Sequence, residues 1–248
     1  MCSSDLGRKT DIIFAKFSGK VIDRGNYILI QMPSNPEYHW GNYVIFDQPP
    51  QRGDLKKWTQ IFDQEFNYYK EPHHYTFTWD RERNEKGEYK EFLDAHFSFD
   101  SGVVLSTDKL NSPTFPNDSL QIKKILSDKE WNDVVDLQVL CADPKFFNDE
   151  YKKFKQEQMK QYRKMASSGL GNWYGAYLNN VLVGDLGIFH DNENARYQNV
   201  ETHPEYRRQG ICGTLVYKSG AIAFEESGIK NLVMEADPDY HAARIYES

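Results

Sequence analysis

The chain has 248 residues, room for one large domain or two small ones at roughly 150 residues per domain. Apolar residues make up 39% and charged residues 27%, the balance of a folded chain rather than a disordered or fibrous one. The 37 acidic against 30 basic side chains leave a net charge of −7, which argues against general binding of nucleic acid or of anionic membranes.

Cys2, Cys141 and Cys212 are far apart and form no CxxC pair. That pattern argues against a disulfide framework and against a cysteine zinc site, and fits a reducing compartment. The N-terminus has no apolar leader, and no apolar run approaches the roughly 18 residues of a membrane span. The expectation is a cytoplasmic protein with no membrane partner, no nucleic-acid partner and no metal.

Residues 1–10 show no folding pattern and are expected to be a disordered or artefactual terminus. From residue 11 to 110 the pattern is that of an α/β lobe. Tyr27–Gln31 and Tyr43–Phe46 are short β-rich runs bounded by proline-rich turns. Leu55, Trp58, Ile61, Phe62 and Phe66 recur at helical spacing, and Tyr75, Phe77 and Trp79 alternate at strand spacing. Gly102–Leu105 is a further short strand. Lys109–Ser119, with its prolines, serines and asparagines, reads as the linker. The strand, strand, helix, strand order then recurs, so a pseudo-duplication is expected.

The second half, residues 119–248, opens with a strand from Leu120 to Leu126. Ser127-Asp128-Lys129-Glu130 is a capping-box pattern that starts a helix bearing Trp131, Val134 and Val135 on one face. A charged helix from Asn148 to Ala166 carries Tyr151, Phe154, Tyr162 and Met165 as a stripe, and Lys152, Lys153 and Lys155 read as its solvated face. Trp173–Leu178 and Val181–Phe189, separated by Asn179-Asn180, predict a hairpin, because asparagine tolerates positive φ. A strand from Arg196 to Thr202, a helix to Glu226, the strand Leu232–Glu235 and a last helix complete the order β-α-α-β-β-β-α-β-α. The chain stops at Ser248 inside that helix without a cap, so the natural protein is expected to continue.

The segment with chemical content runs from Val200 to Leu215. A strand ends at His203-Pro204, a turn with Arg207, Arg208 and Gly210 follows, and a helix starts near Ile211. Glycine admits a close approach of backbone N–H groups to an anion, and the first helical turn offers unpaired N–H groups and the positive end of the helix dipole. The ligand expected there is a diphosphate. No Gly-Lys-Ser/Thr follows and GxGxxG is absent, so the turn is neither a P-loop nor a dinucleotide fingerprint.

Arg207-Arg208-Gln209-Gly210-Ile211-Cys212 resembles the Arg/Gln-x-x-Gly-x-Gly/Ala loop of the GNAT superfamily of acetyl-CoA-dependent N-acetyltransferases, with Cys212 in place of the last small residue and Gly213 one later. Asp239 to Glu247 resembles the family's last motif, Asn-x-x-Ala-x-x-x-Tyr-Glu, matching at Ala242 and Tyr246. The resemblance covers residues 120–248. It implies a mixed α/β sheet with flanking helices, acetyl-CoA as co-substrate, and a small-molecule or peptide amine as acceptor.

By that resemblance the backbone N–H groups of Arg208, Gln209, Gly210, Ile211, Cys212 and Gly213 bind the CoA pyrophosphate, with Thr214 near, and Arg207 is counted among the cofactor-binding residues. The strand Val200–Thr202 pairs with the pantetheine arm. The strand pair on either side of the loop helix splays to admit the thioester, and Tyr246 protonates the leaving thiolate. A lysine-type amine, with pKa about 10.4, needs a base to reach its neutral form near pH 7. Glu201, Glu235 and His203 are the candidates. Alternation puts Glu201 on the face opposite Val200 and Thr202, and leaves open which face meets the acceptor. The alternative to an enzyme is a non-catalytic acyl-CoA-binding or sensing module.

Three other features carry less chemistry. His73-His74 lacks a third ligand, Tyr38–Asn42 reads as packing of the first half, and the first half lacks Arg-x-x-Gly-x-Gly before its helix. A degenerate GNAT-like lobe that has lost cofactor binding and shapes the acceptor cleft is the expectation for it.

Overall fold

A computed structural model describes residues 3–33, 38–67, 74–79, 86–191 and 193–236, with the backbone alone at 3–9. Tyr246 and the rest of the last motif lie outside the described residues. The chain forms two compact units, Met1–Ser101 and Gly102–Ser248.

The first unit starts with a helix, α1 (Ser3–Ser18), where a disordered or artefactual terminus was expected over residues 1–10. Its packed part lies later: Ile13 and Ala15 are buried, and Ala15 packs with Ile30, Tyr43 and Ile45. A helix nucleated there propagates backward through residues that show no pattern of their own.

Strands β1 (Lys20–Asp23), β2 (Tyr27–Gln31) and β3 (Tyr43–Phe46) pair antiparallel in sequence order, and β4 (Phe77–Trp79) pairs parallel with β3. Helix α2 (Asp54–Glu65) connects β3 to β4 and buries Trp58 and Phe62, with Phe66 just past its end. Trp58 stacks on Phe46 at 3.9 Å between ring centroids. A short helix, α3 (Lys90–Asp94), adds Phe92 to this core. His39 stacks on His74 at 4.0 Å, so part of the expected packing role of Tyr38–Asn42 holds, but Trp40 is 59% exposed.

The second unit is a six-stranded sheet in the order β5-β10-β9-β8-β7-β6. Its strands are β5 (Val103–Thr107), β6 (Gln121–Lys124), β7 (Gly171–Leu178), β8 (Val181–His190), β9 (Asn194–Thr202) and β10 (Asn231–Ala236). Strand β5, read from sequence as part of the first lobe, pairs antiparallel with β10 over Val103–Thr107 and belongs to the second unit. The lobe therefore ends near Ser101 and not at 110, because long-range strand pairing, invisible in a local pattern, sets the boundary.

Helices α4 (Asp128–Cys141) and α5 (Asp149–Ser167) cover one face of this sheet, and α6 (Ile211–Ser227) covers the other. The capping box forms as expected: Ser127 Oγ accepts from the Glu130 N–H, and the Glu130 carboxylate accepts from the Ser127 N–H. Asn179 and Asn180 take φ of 51° and 66° in the two-residue hairpin turn between β7 and β8. Leu186, Ile188, Ala195, Leu215 and Ala223 form the core under α6.

The two units share a connection pattern. A helix leads into three antiparallel strands, and a crossover helix with a left-handed glycine at its N-cap leads into a parallel strand. The N-cap glycines are Gly53, φ 90°, before α2 and Gly210, φ 72°, before α6. The expected duplication is thus present in the topology.

Candidate active site

The turn from β9 into α6 has a backbone geometry that suits an anion. After a 3-10 turn, Pro204–Tyr206, Arg208 adopts φ 61°, a conformation rare outside glycine, and Gly210 follows at 72°. Two left-handed residues so close together coil the chain so that the first turn of α6 presents N–H groups with no helical carbonyl to meet them. The Arg207 side chain folds back, its Nε donating to the Thr202 carbonyl at 3.2 Å, and this pins the turn to the strand end. Cys212 and Gly213 lie within the first turn of α6, so the cysteine departure leaves the loop-to-helix geometry intact.

Residues 109–119, read from sequence as a linker, pack on the second unit instead. Leu110 packs against the core under α6, and a Cβ at Gly220 would meet it at 2.9 Å. A Cβ at Gly210 would overlap the Phe115 carbonyl. The Asn117 N–H donates to Thr214 Oγ1 at 2.8 Å, and its side-chain amide donates to the Gln209 carbonyl at 2.8 Å. This strap closes one side of the loop, and only glycine at 210 fits beneath it.

Among the described residues, strand β9 pairs with β10 only through Asn194–Arg196 against Asn231–Val233. From Tyr197 to Thr202, β9 has no strand partner on that side among the described residues. At the point of divergence, Arg196 donates to Glu235 at 2.6 Å and closes the apex. The backbone edge at Val200 and Glu201 therefore meets no strand on that side among the described residues, beside the loop, while the Thr202 carbonyl already accepts from Arg207 and Cys141.

A bulge decides which side chains meet this edge. Gln198 pairs with Gly187 and Glu201 with Asp185, so Asn199 and Val200 together oppose Leu186 alone. Asn199 takes φ 47° there. The extra residue shifts the alternation. Gln198 faces α5, where it donates to Tyr162 at 2.9 Å, and Val200 turns to the core under α6. Glu201 then faces α4 and α5.

The three candidate bases separate on this geometry. Glu235 is paired with Arg196. His203 Nδ1 accepts from the Glu205 N–H at 3.2 Å and caps the 3-10 turn. Glu201 is half-buried, in no ion pair among the described residues, and next to Cys141 and Lys155. Burial pushes its carboxyl above the ordinary range, against the pull of Lys155 and Arg207. Burial and the Glu201 charge push the Cys141 thiol up to about 12, which keeps it protonated; it donates to the Thr202 carbonyl at 3.5 Å.

Sequence reading missed the groups behind Glu201. Lys155, assigned to a solvated face, is 8% exposed: it falls four residues after Tyr151 and four before Met159, on the buried stripe of α5. Helical spacing was the signal; its charge hid it. Asp185 and Gln138, both fully buried, carried no motif.

The model of the acetyltransferase (GNAT) family matches residues 131–248. A search of curated protein sequences returns no match. Among solved structures, a functionally unknown conserved protein from Staphylococcus epidermidis ATCC 12228 is 18% identical, with a TM-score of 0.68 over 93% of this chain and 88% of that one. A GCN5-related N-acetyltransferase from Kribbella flavida is 12% identical, with a TM-score of 0.59 over 98% of this chain and 88% of that one. A tandem GNAT protein from the clavulanic acid biosynthesis pathway is 12% identical, with a TM-score of 0.53 over 83% and 70%. These are likenesses of fold, and they span both units. Among the described residues, no helix is long and apolar enough to cross a membrane.

Proposed function

We propose that the chain moves an acetyl group from acetyl-CoA to a primary amine by direct attack in a ternary complex, since residues 131–248 match the model of the acetyltransferase (GNAT) family. The observation that carries this reading is the divergence of β9 from β10 beside a half-buried glutamate that is in no ion pair among the described residues, with a glycine turn suited to an anion at the end of the same strand.

The backbone of Arg208 to Gly213 would hold the pyrophosphate, with Thr214 near, and the edge at Val200–Thr202 would pair with the pantetheine arm. Acetyl-CoA supplies the electrophilic thioester carbon. Glu201 takes a proton from the ammonium form of the acceptor, freeing the lone pair. The C–N bond forms and the C–S bond breaks; the nitrogen releases one of its two remaining protons to solvent and keeps the other as the amide N–H, while the leaving thiolate gains a proton. Tyr246 is the proposed donor to that thiolate. Tyr246→Phe is expected to lower turnover and leave acetyl-CoA affinity nearly unchanged; normal turnover would demote Tyr246 to packing.

The first unit supports a single cofactor site per chain. Its corresponding turn is filled by its own carboxylates: the Gly53 N–H donates to Glu91 at 2.9 Å, and the Gln51 N–H to Asp54 at 2.8 Å. An anion there would meet two like charges. Calorimetry with acetyl-CoA should give one site per chain. Thiol release in a panel of amines then tests the transfer. Binding with amine-dependent release establishes the transferase; binding without release from any amine would reduce the domain to an acyl-CoA binder.

A further inference from the structure

Asp185 is fully buried on β8, directly across from Glu201 on β9. Its Oδ1 accepts from Gln138 Nε2 at 2.8 Å and from Trp173 Nε1 at 3.0 Å, and its Oδ2 has no hydrogen-bond partner among the described residues. Two ionised carboxylates on opposed positions of neighbouring strands repel. An ionised carboxylate with one oxygen undonated in the interior also keeps much of its desolvation cost.

No cation bonds Asp185 among the described residues. Lys155 Nζ donates instead to the amide oxygens of Gln138 at 3.2 Å and Gln158 at 3.1 Å. Gln138 is the link: its nitrogen donates to Asp185 and, at 3.3 Å, to the Asn199 carbonyl in the bulge, which turns its oxygen toward Lys155.

Five further titratable or charged groups face the carboxyl pair: Cys141 from α4, Tyr151 and Lys155 from α5, Tyr177 from β7, and Arg207 from the loop. Cys141 and Tyr177 are pushed up to about 12 and Tyr151 is raised as well, so these three stay neutral near pH 7. Arg207 is exposed and bonded to the Thr202 carbonyl. Lys155 is therefore the buried charge that acts on the pair.

We propose that Asp185 is a positioning residue for the base: it keeps its proton, fixes the Gln138 amide, and through Gln138 holds the Lys155 ammonium where it keeps Glu201 as the one ionised carboxylate of the pair. The proposal deepens the Glu201 reading and rests on it. Burial acts in the same sense on Asp185, raising it to about 8. Asp185 thus stays uncharged at neutral pH, while Lys155 opposes the rise at Glu201.

Two measurements test it on the full chain. The infrared spectrum of the folded protein at neutral pH should contain the C=O stretch of a buried carboxylic acid, and Asp185→Asn should remove it. A spectrum without that band, or a band that survives the substitution, overturns the proposal whatever the activity. In the pH profile of kcat/KM, Lys155→Met should move the acid limb to higher pH by on the order of one unit, since Glu201 loses the charge that favours its ionised form. Lys155→Arg should restore the limb, and a limb unmoved in Lys155→Met overturns the role given to the ammonium. Full turnover in Glu201→Gln would remove the base reading itself; the infrared band is independent of that outcome, so the two failures are distinguishable.

Discussion

Glu201→Gln is expected to lower turnover by about 10²- to 10³-fold and leave acetyl-CoA affinity unchanged, because the amide fills the same space but cannot accept a proton. The bulge at Asn199 sets Glu201 on the α4 and α5 face, while its backbone stays on the open edge of β9. Burial raises its carboxyl and Lys155 and Arg207 hold it down, so it titrates above an ordinary glutamate. The wild-type rate should therefore fall as the pH drops through that raised value, the protonated carboxyl being unable to take the amine proton. Glu201→Gln should lack this limb. Steady-state rates across pH with one active amine, beside calorimetry for acetyl-CoA, decide it. A variant with normal turnover and an unchanged acid limb would move the base to another group or to water.

Gly210→Glu is expected to abolish acetyl-CoA binding. Gly210 sits at φ 72°, where a side chain is strained, and a Cβ would overlap the Phe115 carbonyl. That carbonyl cannot easily retreat, since Asn117 ties the strap to Thr214 and to the Gln209 carbonyl. The carboxylate would also place a negative charge where the proposed pyrophosphate would lie. Calorimetry should show no heat at concentrations that saturate the wild type, with a melting curve confirming that the rest of the chain is folded. Unchanged affinity would remove the loop from the cofactor site.

Both residues were legible in the sequence, but for different reasons. Gly210 was named by local chemistry, since a strand, a turn with two arginines and two glycines, and a helix start are contiguous. Glu201 was one of three candidates. Separating them required the Arg196–Glu235 pair at the strand apex and the cap made by His203, both set by the folded arrangement of the turn and the sheet. The alternation rule correctly set Glu201 against Val200 and Thr202. It could not assign a face, because the bulge two residues earlier shifts the parity.

The sequence by itself determined what contiguous residues decide: the capping box at Ser127, the hairpin at Asn179-Asn180, the apolar stripe of α5, and the glycine turn before α6. Each depends on contacts within a few positions along the chain. Only the tertiary structure decided that residues 3–10 are helical, that β5 pairs with β10, that residues 109–119 strap the loop, and that Lys155 is buried opposite Glu201. These depend on partners remote along the chain, and a helix end, an edge strand or a buried charge acquires its environment only when the sheet that receives it has formed.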